Sequence, residues 1–194
     1  MRYNFYDFDD TLVLTRVAIY KSYRHAFRKV MNLDLPWGVF NSKLYANANS
    51  YMAQLGFTDK HMREVKKEKN KIYLERNWTE VVILKDDFSS DEEHIIVSNT
   101  TSDVIEAILN KIDMAGPFSN IIGSDIYLGV NRKPAPDLYT YAFSTIKDKF
   151  DIETDWIVIH EDSPYGLHAA LTFYEEHKDK LKNFRINYIP QNFN

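Results

Sequence analysis

The chain has 194 residues, 44% of them hydrophobic, with 24 lysines and arginines against 28 aspartates and glutamates for a formal net charge of -4. This is enough apolar material for one domain carrying an insertion or a small second domain, and it excludes the overall basic field that nucleic-acid binding uses. The absence of cysteine excludes disulfides and thiolate chemistry and fits a reducing compartment. Three acids near the N-terminus stand where a signal peptide needs an apolar stretch, and no run approaches membrane-spanning length, so a soluble cytoplasmic protein is the expectation.

The first predicted element is a strand rich in aromatic residues that ends in Asp7-Phe8-Asp9-Asp10-Thr11-Leu12. Side chains two apart on a strand share a face and lie roughly 6 to 7 Å apart, so Asp7 and Asp9 point one way and Phe8 the other. Converging carboxylates repel unless a cation or a shared proton relieves them, which suggests a divalent metal or acid/base chemistry.

Apolar spacing then predicts helices over Val17–Met31, from Leu44 to Leu55 before Gly56, and from Thr58 to Arg76. Residues 15–89 therefore read as a helical unit, closed by the acidic connector Asp86–Glu93. From His94 strands and helices alternate: His94–Ser98 strand, a helix carrying Val104 to Ile112, Asn120–Gly123 strand, Pro136–Phe150 helix, Trp156–Ile159 strand, Pro164–Leu181 helix and Phe184–Ile189 strand. Alternation of this kind predicts an α/β fold with a parallel sheet covered on both faces, to which the opening strand belongs. The expected division is a three-layer Rossmann-like core of residues 1–14 and 90–194 with an inserted α-helical cap of residues 15–89.

Ligands of open parallel sheets collect at the C-terminal strand ends. Standing there are Asp7, Asp9 and Thr11 after the first strand, Ser98, Asn99 and Thr100 after the second, and Glu161, Asp162 and Ser163 after the fourth. Lys133 precedes Pro134 and Pro136 at a helix start. A phosphate with a hard divalent cation would use this whole set: carboxylates for Mg²⁺, hydroxyls and helix N–H groups for phosphoryl oxygens, lysine for the remaining negative charge.

Four stretches in order, Asp7-Phe8-Asp9-Asp10-Thr11-Leu12, Ser98 after an apolar strand, Lys133-Pro134-Ala135-Pro136-Asp137 and Glu161-Asp162-Ser163-Pro164-Tyr165-Gly166, resemble the motifs of the haloacid dehalogenase (HAD) superfamily. Within it they resemble the phosphoglycolate phosphatase and β-phosphoglucomutase-like branch. The resemblance implies that Asp7 is a nucleophile forming an aspartyl-phosphate and that Asp9 is the acid and then the base. It implies Mg²⁺ held by the Asp7 carboxylate, the Asp9 main-chain carbonyl and Asp162, with Glu161 either a ligand or a supporting partner. Thr11, Ser98 and Asn99 would hold phosphoryl oxygens, Thr11 also supporting the loop, and Lys133 would bind the phosphate and stabilise charge on it and on the nucleophile.

Asp10 occupies a position where many relatives have glycine and reads, like Asp137, as a turn or cap residue. Arg132 sits beside Lys133, so the basic contribution could be shared. His160 alternates away from Glu161 and reads as packing. The basic helix from Lys60 to Lys71 reads as a solvated face with Glu64 and Glu68 pairing to nearby lysines, in preference to a lid for an anionic, nucleotide-like substrate. The tyrosines of the first two inserted helices read as core. The resemblance thus implies a Mg²⁺-dependent phosphatase acting on a small phosphorylated metabolite. The alternatives are a phosphomutase, which passes the phosphoryl group to a second sugar hydroxyl, and a phosphate-binding or partner-binding module without turnover.

Overall fold

The computed structural model describes residues 1–45, 48–76, 82–127 and 129–189. The chain divides into two compact units, one of Met1–Leu14 with Trp78–Asn194 and the other of Thr15–Asn77.

The strand-bearing unit begins with β1 (Arg2–Tyr6), whose residues after Arg2 are all buried, as expected of a strand covered on both faces. The intervening helices are α1 (Arg16–Met31), the short α2 (Trp37–Val39) running into a wide helical turn at Phe40–Leu44, α3 (Ala48–Gln54) and α4 (Asp59–Glu75). There follow β2 (Glu93–Val97), α5 (Ser102–Lys111), β3 (Phe118–Ile122), α6 (Asp137–Ile146), β4 (Trp156–Glu161), α7 (Pro164–His177), a short 3₁₀ turn at Lys178–Lys180 and β5 (Asn183–Tyr188).

The five strands form one sheet in the order β3-β2-β1-β4-β5, and every pairing is parallel. Right-handed crossovers that run outward through β2 to β3 and then back across to β4 and β5 place α5 on one face and α6 and α7 on the other. Tyr3, Phe5, Ile95, Val97, Ile157 and Ile159 meet Leu138, Tyr139, Ala142, Phe143, Ala169, Ala170 and Phe173 in the larger core. On the opposite face Tyr6 stacks on His160 with ring centroids 4.2 Å apart, and His160 bonds Asn4 at 3.2 Å. His160 therefore packs on the face opposite Glu161, as alternation requires.

The helical unit is built on α1 against α4. Thr58 caps α4 in a box with His61, Asn32 closes α1 in a left-handed conformation with φ 53°, and Phe27 meets Phe57 at 5.3 Å. Tyr20 and Tyr23, themselves half-buried, pack on the buried Phe40, at the edge of the core rather than inside it. Along α4, Glu64 lies 4.0 Å from Lys60, whereas Glu68 reaches across to Lys29 of α1 at 2.8 Å. Its partner is on the neighbouring helix rather than its own. Among the described residues no helix is long and apolar enough to cross a membrane.

Candidate active site

The strand order reverses about β1, since the chain moves outward from it to β2 and then returns to β4 on its other side. The C-terminal ends of β1 and β4 are therefore the topological switch point, where parallel sheets bind ligands. The Asp7 N–H donates to the His160 carbonyl at 3.0 Å, extending the ladder by one residue. The backbone then turns back: the Leu12 N–H donates to the Phe8 carbonyl at 3.1 Å and the Asp10 N–H to the Val13 carbonyl at 2.8 Å. Asp10 sits at φ 63°, a left-handed conformation that aspartate tolerates better than most residues. It is fully buried and serves the turn.

Lys133 is 7% exposed, and its ammonium has three donors to satisfy. All three find acceptors: Asp7 Oδ1 at 2.9 Å, the Val97 carbonyl at 2.6 Å and Glu161 Oε1 at 2.5 Å. The loop that carries Lys133 is clamped by Asn99, whose Oδ1 accepts the Lys133 N–H at 2.8 Å and whose Nδ2 donates to the Lys133 carbonyl at 3.1 Å. The Asn99 side chain thus holds the lysine loop instead of facing outward toward a phosphate. Arg132 is exposed beside its buried neighbour, and it is Lys133 that reaches the carboxylates.

Glu161 has no exposed surface. Its Oε1 accepts from Lys133 and from the Tyr139 hydroxyl, and its Oε2 lies 3.5 Å from Ser163 Oγ. Ser163 caps α7 by accepting the Gly166 N–H at 3.0 Å. Asp162 accepts from Thr11 Oγ1 at 3.4 Å, tying the first motif to the last. Asp9 Oδ2 accepts from Thr100 Oγ1 at 2.5 Å. Ser98, 1% exposed, accepts the Thr100 N–H on its Oγ at 3.3 Å. Asp137, the first residue of α6, holds the preceding loop to the helix start, its carboxylate accepting from the Asn131 N–H and Nδ2 at 3.0 and 2.9 Å.

Burial pushes the Asp7 carboxyl well above its usual range; Lys133 opposes this, while Glu161, Asp162 and Asp9 add to it. Burial pulls the Lys133 ammonium down, but Asp7 and Glu161 outweigh it and the net direction is up. Burial and then Glu161 push the Tyr139 phenol well up, so it keeps its proton and donates. Asp7, Glu161 and Asp162 each present an oxygen within 4.8 Å of the others, and Lys133 bonds two of these three buried carboxylates. Hard oxygen donors with surplus negative charge fit a small hard dication.

The roles of three residues, Thr100, Tyr139 and Gly166, escape a reading of the sequence. Thr100 follows a recognisable serine, but nothing in its position distinguishes a bond to Asp9 from a helix-start role. Tyr139 lies on the buried face of α6, where a ring alone would serve the core. Its hydroxyl was the available signal, since a buried tyrosine needs a partner. Gly166 lies so close to Glu161 that a Cβ would come within 1.9 Å of Oε2.

A doubly wound parallel sheet with acids and one buried lysine at its switch point makes an α/β core with a built polar site at the place where such sheets bind ligands. The sequence profile of the haloacid dehalogenase-like hydrolase family matches residues 5–174, and the chain belongs to that family. Among solved structures, CbbY from Rhodobacter sphaeroides in complex with phosphate is similar with TM-score 0.72 and 15% identity over 98% of this chain and 86% of that one. A protein from Lactobacillus plantarum assigned as a phosphoglycolate phosphatase gives 0.72 and 14% over 96% and 94%. One from Thermotoga maritima assigned as a β-phosphoglucomutase gives 0.63 and 17% over 100% and 88%. At these identities the likeness is one of fold. No curated protein sequence matches the chain.

Proposed function

We propose that this chain is a Mg²⁺-dependent phosphatase that hydrolyses a small phosphorylated metabolite through an aspartyl-phosphate on Asp7. The observation that carries the reading is the Lys133 ammonium set between Asp7 and Glu161, beside Asp162. A carboxylate oxygen of Asp7 bonds to phosphorus as the ester oxygen departs, and Asp9 gives that oxygen a proton. Asp9 then takes a proton from water, whose oxygen displaces Asp7 from phosphorus and releases inorganic phosphate. Thr100 holds Asp9 for both transfers.

The Asp7 and Asp162 carboxylates and the main-chain carbonyl of Asp9 would hold Mg²⁺, which supplies charge neutralisation for the phosphoryl oxygens. Glu161, with Lys133 and Tyr139 on one oxygen, supports the lysine rather than the metal. Ser98 accepts a bond from Thr100 and turns its own O–H to a phosphoryl oxygen. Asn99 contributes its main-chain N–H, its side chain being held by Lys133. Lys133 acts by charge, on Asp7 and through it on the phosphoryl group. In this reading the helical insertion selects the substrate and the strand-bearing unit performs the chemistry. A cytoplasmic site of action accords with the lack of cysteine.

The test is a phosphate-release screen across sugar phosphates, nucleotides and phosphoglycolate, with Mg²⁺ and with chelator. Release that depends on Mg²⁺ is expected for at least one compound. No release from any of them would overturn the reading, and conversion of a sugar phosphate to its isomer without release would replace it with a mutase.

A further inference from the structure

We propose that Tyr139 is a positioning residue of this site, fixing the Glu161 carboxylate so that Glu161 in turn fixes Lys133 against Asp7. The proposal deepens the phosphatase reading and rests on it for the catalytic roles of Asp7 and Lys133.

Tyr139 belongs to the buried face of α6 with Leu138, Ala142, Phe143 and Ile146. Its ring lies nearly parallel to that of Phe5, at 6.5 Å and 11°, and 6.1 Å from that of Phe173. A phenylalanine would fill the same space. What the ring cannot supply is the hydroxyl, which donates to Glu161 Oε1, the atom that also accepts from Lys133. The Lys133 ammonium lies 4.9 Å from the centroid of the Tyr139 ring, so one side chain touches both members of the ion pair.

Glu161 Oε2 is confined as well, by Ser163 and by the space that Gly166 leaves open. Both oxygens are therefore held on the α6 and α7 side. Asp7 and Asp162 remain as the side-chain ligands for a cation. Where the acceptor is fully buried, as Glu161 is, losing one of its donors leaves it to turn toward another. For Glu161 that turn releases Lys133, and through it Asp7, from the present geometry.

The test compares Tyr139→Phe with the wild type by Mg²⁺ titration calorimetry on the substrate-free protein, steady-state hydrolysis of p-nitrophenyl phosphate and thermal melting. The expected result is a Mg²⁺ Kd weaker by about tenfold, as for loss of outer partners of a metal site, in a variant whose melting temperature stays well above the assay temperature. With it comes a kcat lower by about tenfold and a KM within about twofold. A variant that binds Mg²⁺ as the wild type does would overturn the proposal, whatever its turnover, because a packing defect alone would then account for any loss. Wild-type protein that fails to turn over any phosphate ester counts against the phosphatase reading; the Mg²⁺ affinities still decide for or against Tyr139.

Discussion

Gly166, in the first turn of α7, lies against the carboxylate of Glu161 so closely that a Cβ added there would stand 1.9 Å from Oε2 and 2.2 Å from Oε1. Glu161 is the end of a flexible side chain, but Lys133 and Tyr139 hold it, so it cannot yield without disturbing them. Gly166→Ala is expected to destabilise the fold by about 1–3 kcal/mol, the usual range for overpacking, and to remove most of the activity. Urea unfolding and steady-state kinetics check both.

Replacing Lys133 by methionine leaves Asp7 and Glu161 facing each other in a buried site without their shared ammonium. Removing one partner of a buried ion pair typically destabilises by about 3–5 kcal/mol, and a loss of that order is expected at neutral pH by chemical denaturation. Lys133→Arg should not restore activity. Its planar fork cannot reproduce three bonds to acceptors at the C-terminal ends of β1, β2 and β4 from one nitrogen.

Thr100→Val keeps the side-chain shape and removes the hydroxyl that holds Asp9. If Asp9 protonates the leaving oxygen, the loss should be about tenfold or more for alkyl phosphates, whose alkoxide needs the proton, and smaller for p-nitrophenyl phosphate, whose phenolate does not. A side-by-side comparison of kcat on the two substrates makes the check.

In the helical unit Asp34 accepts from Arg24 at 2.9 and 3.3 Å and from Arg28 at 2.9 Å. Arg24 above all, with Arg28, holds its carboxyl down at about 2, from an ordinary 3.8. A depressed carboxyl contributes stability that is present above the ordinary value and is lost as pH falls through the folded one. Asp34→Asn is therefore expected to lower the melting temperature at neutral pH, with the difference from wild type shrinking below about pH 4 and closing near about pH 2. Melting curves across that range test the sign.

The residues of the candidate site were legible in the sequence because they sit in four short ordered motifs, and the structure brings Asp7, Lys133 and Glu161 into one bonded group, with Thr11 on Asp162 and Thr100 on Asp9. Parallel strands alternating with helices were legible too, from periodicity. Exact ends were not. The last helix stops at His177 and passes into a 3₁₀ turn at Lys178–Lys180, where the apolar Leu181 continues the pattern but belongs to the core beneath. The third strand starts at Phe118 rather than Asn120, because a polar Ser119 bonding Glu93 hides an edge strand from any apolar count. Asn99 was legible as a site residue but not as a clamp on Lys133, since that contact joins loops 34 residues apart. The double duty of Tyr139, ring in the core and hydroxyl on Glu161, cannot be told from sequence spacing at all.

If Asp7 carries the phosphoryl group, as proposed, acid-quenched protein taken during turnover shows it most directly by peptide mass spectrometry. The prediction is a phosphoryl mass increment on the peptide containing Asp7, lost on treatment with hydroxylamine and absent from Asp7→Asn, which folds but releases no phosphate. Turnover by Asp7→Asn, or an increment on a different residue, would contradict it.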